Sequence, residues 1–135
     1  GLEKYLKFKK ASFKISNLAL AASGTVSLEL AANNTPMVIG YDMKFFSRQI
    51  VGFMLKTDTV NLVNLITGNR NIPEYIGSNF NSENLFLEMV RVYSNNLKQI
   101  KDFKKTMDLL GKNKEQPSIR AANSLLNFYQ NFKTV

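Results

Sequence analysis

Ser23, Gly24 and Thr25, with Glu29 four positions beyond the threonine, are the residues whose types and spacing suit chemistry. A run of small apolar residues, NLALAAS at 17–23, reads as a buried strand entering this turn. Thr25 to Ala32 reads as the helix that leaves it. The first amides of a helix have no intrahelical partner and its dipole is positive there, so the turn favours an anion such as a diphosphate. Gly24 permits close backbone approach, while the Ser23 and Thr25 hydroxyls can cap the helix or bond to phosphate. Glu29 shares the face of Thr25 one turn later, and helical side chains lean toward the amino terminus. Its carboxylate is therefore placed to accept hydrogen bonds from vicinal ribose hydroxyls. The same residues also suit a plain helix cap followed by a solvated glutamate, because this is not a glycine-rich fingerprint.

The elements around this turn follow from the rest of the chain. At 135 residues it fits one domain, small for a complete two-substrate enzyme. Cysteine and histidine are absent, which excludes disulfides, thiolate nucleophiles, zinc sites of the usual kind and histidine relays. The net charge of +8 admits nucleic acid, an anionic membrane surface or a phosphorylated ligand. The lysines are nonetheless spread over several predicted helices, and only KFKK and KQIKDFKK approach clusters. The opening residues are too charged for a signal peptide, so a cytoplasmic location is expected. Without an initiator Met, the chain is expected to be a piece of a longer one.

Residues 3 to 14 predict a short amphipathic helix, and MVIGY at 37–41 predicts a second buried strand after Pro36. The strand–helix–strand unit takes about 25 residues, enough for a parallel crossover. Residues 44 to 56 read as a helix that is apolar nearly all round. Residues 57 to 72 read as a long ordered loop with a Gly68-Asn69 turn. Three helices are expected to finish the chain: one capped by Asn81-Ser82-Glu83, one at 96–110 ended by Gly111, and one at 118–132.

The segments ALAASGTVSLELA and PMVIGYDMK resemble the nucleotide-binding stretch of GT-B glycosyltransferases, and lipid-A-disaccharide synthases in particular. Downstream, LKTDTVNLVNLITGNRNIPEYI is similar to that family's K-T-x-x-x-x-L-x-N-L-I-x-G segment, and the likeness runs over about residues 18 to 90. The resemblance implies an α/β fold: part of the Rossmann-like, carboxyl-terminal half of a GT-B enzyme, with a short parallel sheet, several helices and a helical tail from about 82 to 135. It implies that residues 1–135 form one nucleotide-sugar-binding unit. The implied reaction transfers 2,3-diacylglucosamine from UDP-2,3-diacylglucosamine to 2,3-diacylglucosamine 1-phosphate, without a metal or other cofactor. Ser23, Gly24 and Thr25 match the diphosphate turn, Glu29 the ribose-binding acid, and Asn64 a polar loop residue near the donor. Tyr41 and Met43 match the loop after the second strand, at the carboxyl ends where such folds bind ligands. Ordinary loop anchoring suits those two equally well. Arg70 sits one position beyond the family's basic residue, where this chain has Asn69.

The general base and acceptor site belong to the amino-terminal half, so no catalytic residue is assigned here and the segment is expected to be inactive alone. Asp42 and Asp58 have no spacing that makes either a base. Lys44 and Arg48 share a face suited to anionic headgroups, which raises peripheral association with the inner face of the inner membrane. The apolar surface of that helix is broad, which favours burial instead. The last helix is a candidate for homodimer contacts. Competing readings are a non-catalytic basic α/β module that binds nucleic acid or lipid headgroups, and the donor half of another UDP-sugar enzyme. The lack of a concentrated basic patch with interleaved aromatics argues against nucleic acid.

Overall fold

The run MVIGY is apolar on both sides of its backbone, and a strand of that kind needs cover on both faces. It forms the middle of a three-stranded parallel sheet in the computed structural model, which describes residues 1–22, 24–42, 58–112 and 114–133. Strand β1 spans Ala19–Ala21, β2 Met37–Tyr41 and β3 Glu74–Ile76, in the order β1-β2-β3. Ala19 pairs with Met37, and Ile39 with Glu74. All five residues of β2 are buried.

Among the described residues six helices surround this sheet: α1 at Leu2–Ile15, α2 at Thr25–Ala32, α3 at Leu62–Thr67, α4 at Ser82–Ser94, α5 at Leu97–Leu109 and α6 at Pro117–Lys133. Alternation along β2 assigns them to layers. Met37, Ile39 and Tyr41 enter one core with Leu30 and Ala31 of α2, Val63 of α3, and Phe103 and Met107 of α5. Val38 enters the other, with Leu85 and Val92 of α4. Gly40 also faces α4: a Cβ there would lie 2.8 Å from Phe80 Cε2 and 3.2 Å from Leu85 Cδ2. Glycine is thus what lets α4 and the Phe80 ring close on the sheet.

The α/β class, the parallel crossover and the helical tail agree with the sequence reading. Three details differ. The stretch expected as a long loop contains α3, capped by Asn61, whose side chain accepts from Val63 N (2.9 Å) and Asn64 N (3.1 Å). It ends at Gly68 in the left-handed region, φ +73°, so the Gly68-Asn69 signal marks a helix stop. Strand β3 was not expected: three residues after a proline carry no run or alternation long enough to read. Strand β1 is shorter than 17–23 and only partly buried, with Leu20 48% exposed, because it is an edge strand. The helix expected at 44–56 lies outside the described residues, and so does any test of its membrane face.

Two side chains tie helices to strand ends. Gln99 of α5 is buried and grips Met37 at both backbone groups, accepting from its N–H at 2.9 Å and donating to its carbonyl at 3.0 Å. Thr35 donates to the Phe13 carbonyl at 2.7 Å, which holds the end of α1 near the sheet while Phe13 packs on the larger core. The rest of α1 is largely exposed, as is α6, whose Leu125, Phe128 and Phe132 face solvent.

Candidate functional site

The turn between β1 and α2 lies at the carboxyl end of β1, where parallel sheets present their loops. Gly24 is the N-cap of α2, with φ +107° and ψ −151°. That backbone conformation is open to glycine and strained for other residues, and a Cβ there would meet nothing within 4 Å. The turn therefore needs glycine for its dihedral angle, and no other described residue crowds its Cα. Ser27 closes the first turn, its N–H and Oγ both donating to the Gly24 carbonyl, at 3.2 and 2.8 Å. The amides of Thr25 and Val26 precede the first intrahelical bonds, so they need a solvent or ligand acceptor. Thr25 is exposed and stands beside them. Ser23, expected to contribute a hydroxyl here, lies outside the described residues.

Glu29 is one turn along the same helix, but its carboxylate is not directed freely at the turn. Lys9 of α1 reaches it, with Nζ 3.0 Å from Oε1 and 2.8 Å from Oε2, and stands 5.5 Å above the Phe13 ring. Spacing puts Glu29 on α2 but gives no sign of Lys9, because the pair is 20 residues apart and exists only once α1 lies along α2. Glu29 borders a cavity of about 300 Å3 between α1 and α2, lined also by Leu6, Lys9, Phe13 and Ala32. The pair is half-exposed and contributes little stability, about 0–1 kcal/mol. A hydroxylated ligand competes with Lys9 for the carboxylate at correspondingly small cost.

Asn64, matched to a polar loop residue near the donor, stands in α3. It is helical and fully buried, and its amide is used inside the protein. Nδ2 donates to the Ile72 carbonyl (2.8 Å) and to Glu74 Oε1 (2.9 Å), while Oδ1 accepts from Ile72 N (3.0 Å). Glu74 also accepts from the Thr59 hydroxyl and from Val60 N (3.0 Å). The network fastens the start of β3 to α3. Sequence spacing did not separate this role from a ligand contact, because both call for an amide side chain beside a turn.

Tyr41, at the end of β2, is 9% exposed and belongs to the larger core. Met43 lies outside the described residues. Arg70 stands ahead of β3, at the opposite end of the strands from Gly24. It makes a side-on pair with exposed Asp58, whose carboxyl this guanidinium holds below its ordinary pKa. Among the described residues there is no group of three or more side chains able to hold a metal ion, and no helix long and apolar enough to cross a membrane.

The family model for lipid-A-disaccharide synthetase matches residues 3–128. The chain is 42% identical over 119 residues to a lipid-A-disaccharide synthase of Ruegeria pomeroyi, covering 88% of this chain and 30% of that protein. Its counterpart in Rickettsia prowazekii is 36% identical over 115 residues, covering 82% and 30% respectively. That of Nitrobacter hamburgensis is 34% identical over 121 residues, covering 87% and 31%. The chain thus spans about 30% of the length of these relatives. With nearly its whole length matched by one family model, the chain belongs to the lipid-A-disaccharide synthase family.

Proposed function

We propose that this chain is the nucleotide-sugar-binding part of a glycosyltransferase of lipid A biosynthesis. The full reaction transfers 2,3-diacylglucosamine from UDP-2,3-diacylglucosamine to 2,3-diacylglucosamine 1-phosphate and releases UDP. The observation that carries this reading is the Gly24 turn, uncrowded by the other described residues, with Glu29 one helical turn away beside a cavity. In this reading the diphosphate lies on the amides of Thr25 and Val26, with the Ser23 and Thr25 hydroxyls beside it. Glu29 accepts from the ribose hydroxyls, displacing Lys9 in part. Asn64 serves the site indirectly, by holding β3 and α3 in register, and Tyr41 anchors the end of β2.

The acylated acceptor and the general base belong to parts of the enzyme outside this chain, so the chain alone is inactive. The protein works in the cytoplasm, with acylated substrates that draw it to the inner membrane face. Nucleic acid is not a partner in this reading. The test is a UDP titration of the chain followed by backbone amide shifts. Perturbations are expected to centre on Gly24 to Glu29 with weak affinity, and Glu29→Ala is expected to weaken it further. A silent turn, with shifts confined to the surface lysines when oligonucleotide is added, would overturn the reading in favour of a nucleic-acid module.

A further inference from the structure

A cavity lined by three cationic side chains lies at the other end of the sheet. It has a volume of about 220 Å3 and is lined by Arg70, Arg91 and Lys98, with the amide side chains of Asn71, Asn95 and Gln99. Arg70 and Asn71 precede β3, and Gln99 is fixed on Met37 at the start of β2. The cavity therefore sits at the amino ends of the strands, in the joint between α4 and α5. No carboxylate lines it. Asp58 and Glu88 instead flank the two arginines. Arg70 gives Nε and Nη2 to Asp58 and Nη1 to the Asn69 carbonyl, and Arg91 gives Nε and Nη2 to Glu88.

Those contacts hold both guanidinium planes at the cavity wall, so little side-chain entropy remains to be lost when an anion enters. Each terminal nitrogen carries two hydrogens, and at least one of each pair remains for a ligand. Lys98 makes no ion pair among the described residues and completes a third corner. It lies in the first turn of α5, so the helix dipole adds field of the same sign. The volume falls short of the roughly 300–1,000 Å3 of pockets for drug-sized molecules, which restricts the occupant to a small anion.

The geometry points to a binding site for a phosphate-class anion formed by Arg70, Arg91 and Lys98 at the α4–α5 joint. Two guanidinium groups and an ammonium around a small cavity match the acceptor oxygens of a tetrahedral anion. The charges of Asp58 and Glu88 make the affinity modest and dependent on ionic strength.

The experiment titrates inorganic phosphate into the chain and follows backbone amide shifts at constant ionic strength. The expected result is a saturating response shared by Arg70, Asn71 and the segment from Arg91 to Gln99. Lys98→Gln, an exposed change that breaks no internal bond, is expected to weaken that response about fivefold. Any response at Gly24 and Thr25 is expected to keep its wild-type dissociation constant. The proposal is overturned if the joint is silent, if α1 lysines shift as much as Lys98, or if Lys98→Gln titrates like the wild type.

Discussion

Replacing Asn64 with Leu tests whether that residue is part of the scaffold. The two side chains share their branching, so the change removes the polar contacts while keeping the shape, and the larger leucine adds overpacking of the same sign. The Asn64 side chain makes three bonds, and the two buried ones go to the N–H and carbonyl of Ile72, itself 1% exposed. An orphaned buried backbone group costs about 1–3 kcal/mol, so losing both partners costs about 4 kcal/mol. The bond to Glu74 adds less, because Thr59 and Val60 still donate to that carboxylate. With a urea dependence of about 2 kcal/mol per molar, the unfolding midpoint falls by about 2 M. Asn64→Asp keeps an acceptor for Ile72 N but turns a carboxylate toward Glu74 and the Ile72 carbonyl, so it is expected to be at least as harmful. Urea denaturation followed by circular dichroism reads both variants. A midpoint within about 0.3 M of wild type, with UDP affinity lost, would refute the reasoning and return Asn64 to the ligand site.

Gly40→Ala puts a methyl group 2.8 Å from the Phe80 ring and 3.2 Å from Leu85, which forces α4 or Phe80 to move. The expected cost is about 1–3 kcal/mol, read in a thermal melt as a loss of about 5 °C or more. An unchanged melting temperature would show that the Phe80 ring gives way freely. Glu88 is buried, and the Arg91 guanidinium holds its carboxyl below the ordinary carboxylate range. A depressed folded-state pKa contributes stability above the unfolded-state value and loses it as pH falls through the folded one. Arg91→Gln removes the largest cause and leaves the Tyr75 hydroxyl, so the gap between wild type and variant should be full above about pH 5 and close as pH falls below about 4. Urea midpoints from pH 3 to 7 check this, and a gap that widens on acidification would contradict it.

Local chemistry determined a good part of this protein from the sequence alone. The β2 run, the turn at Gly24, the helix after it and the caps at Asn81 and Gly111 are decided within a few residues by burial pattern and backbone preference. They were legible for that reason, whereas the family was legible from the resemblance of its motifs. Elements too short to carry a pattern, and contacts between residues far apart in the chain, were not. Asn61 caps a six-residue helix inside what reads as loop, because its carbonyl oxygen finds two free amides only once the chain has turned. A helix so short has no periodicity to detect. Strand β3 exists because β2 offers it a partner, and its residues carry no pattern of their own. Gln99 carries no sign in the sequence of the role that packing gives it, completing the bonds of Met37, 62 residues away. The same holds for the turn with which the sequence reading began. Ser23, Gly24, Thr25 and Glu29 could be placed on one element from their spacing, but only packing set Lys9 against Glu29. Tertiary structure likewise brought Arg70, Arg91 and Lys98 to one cavity, because their proximity depends on how β3, α4 and α5 meet.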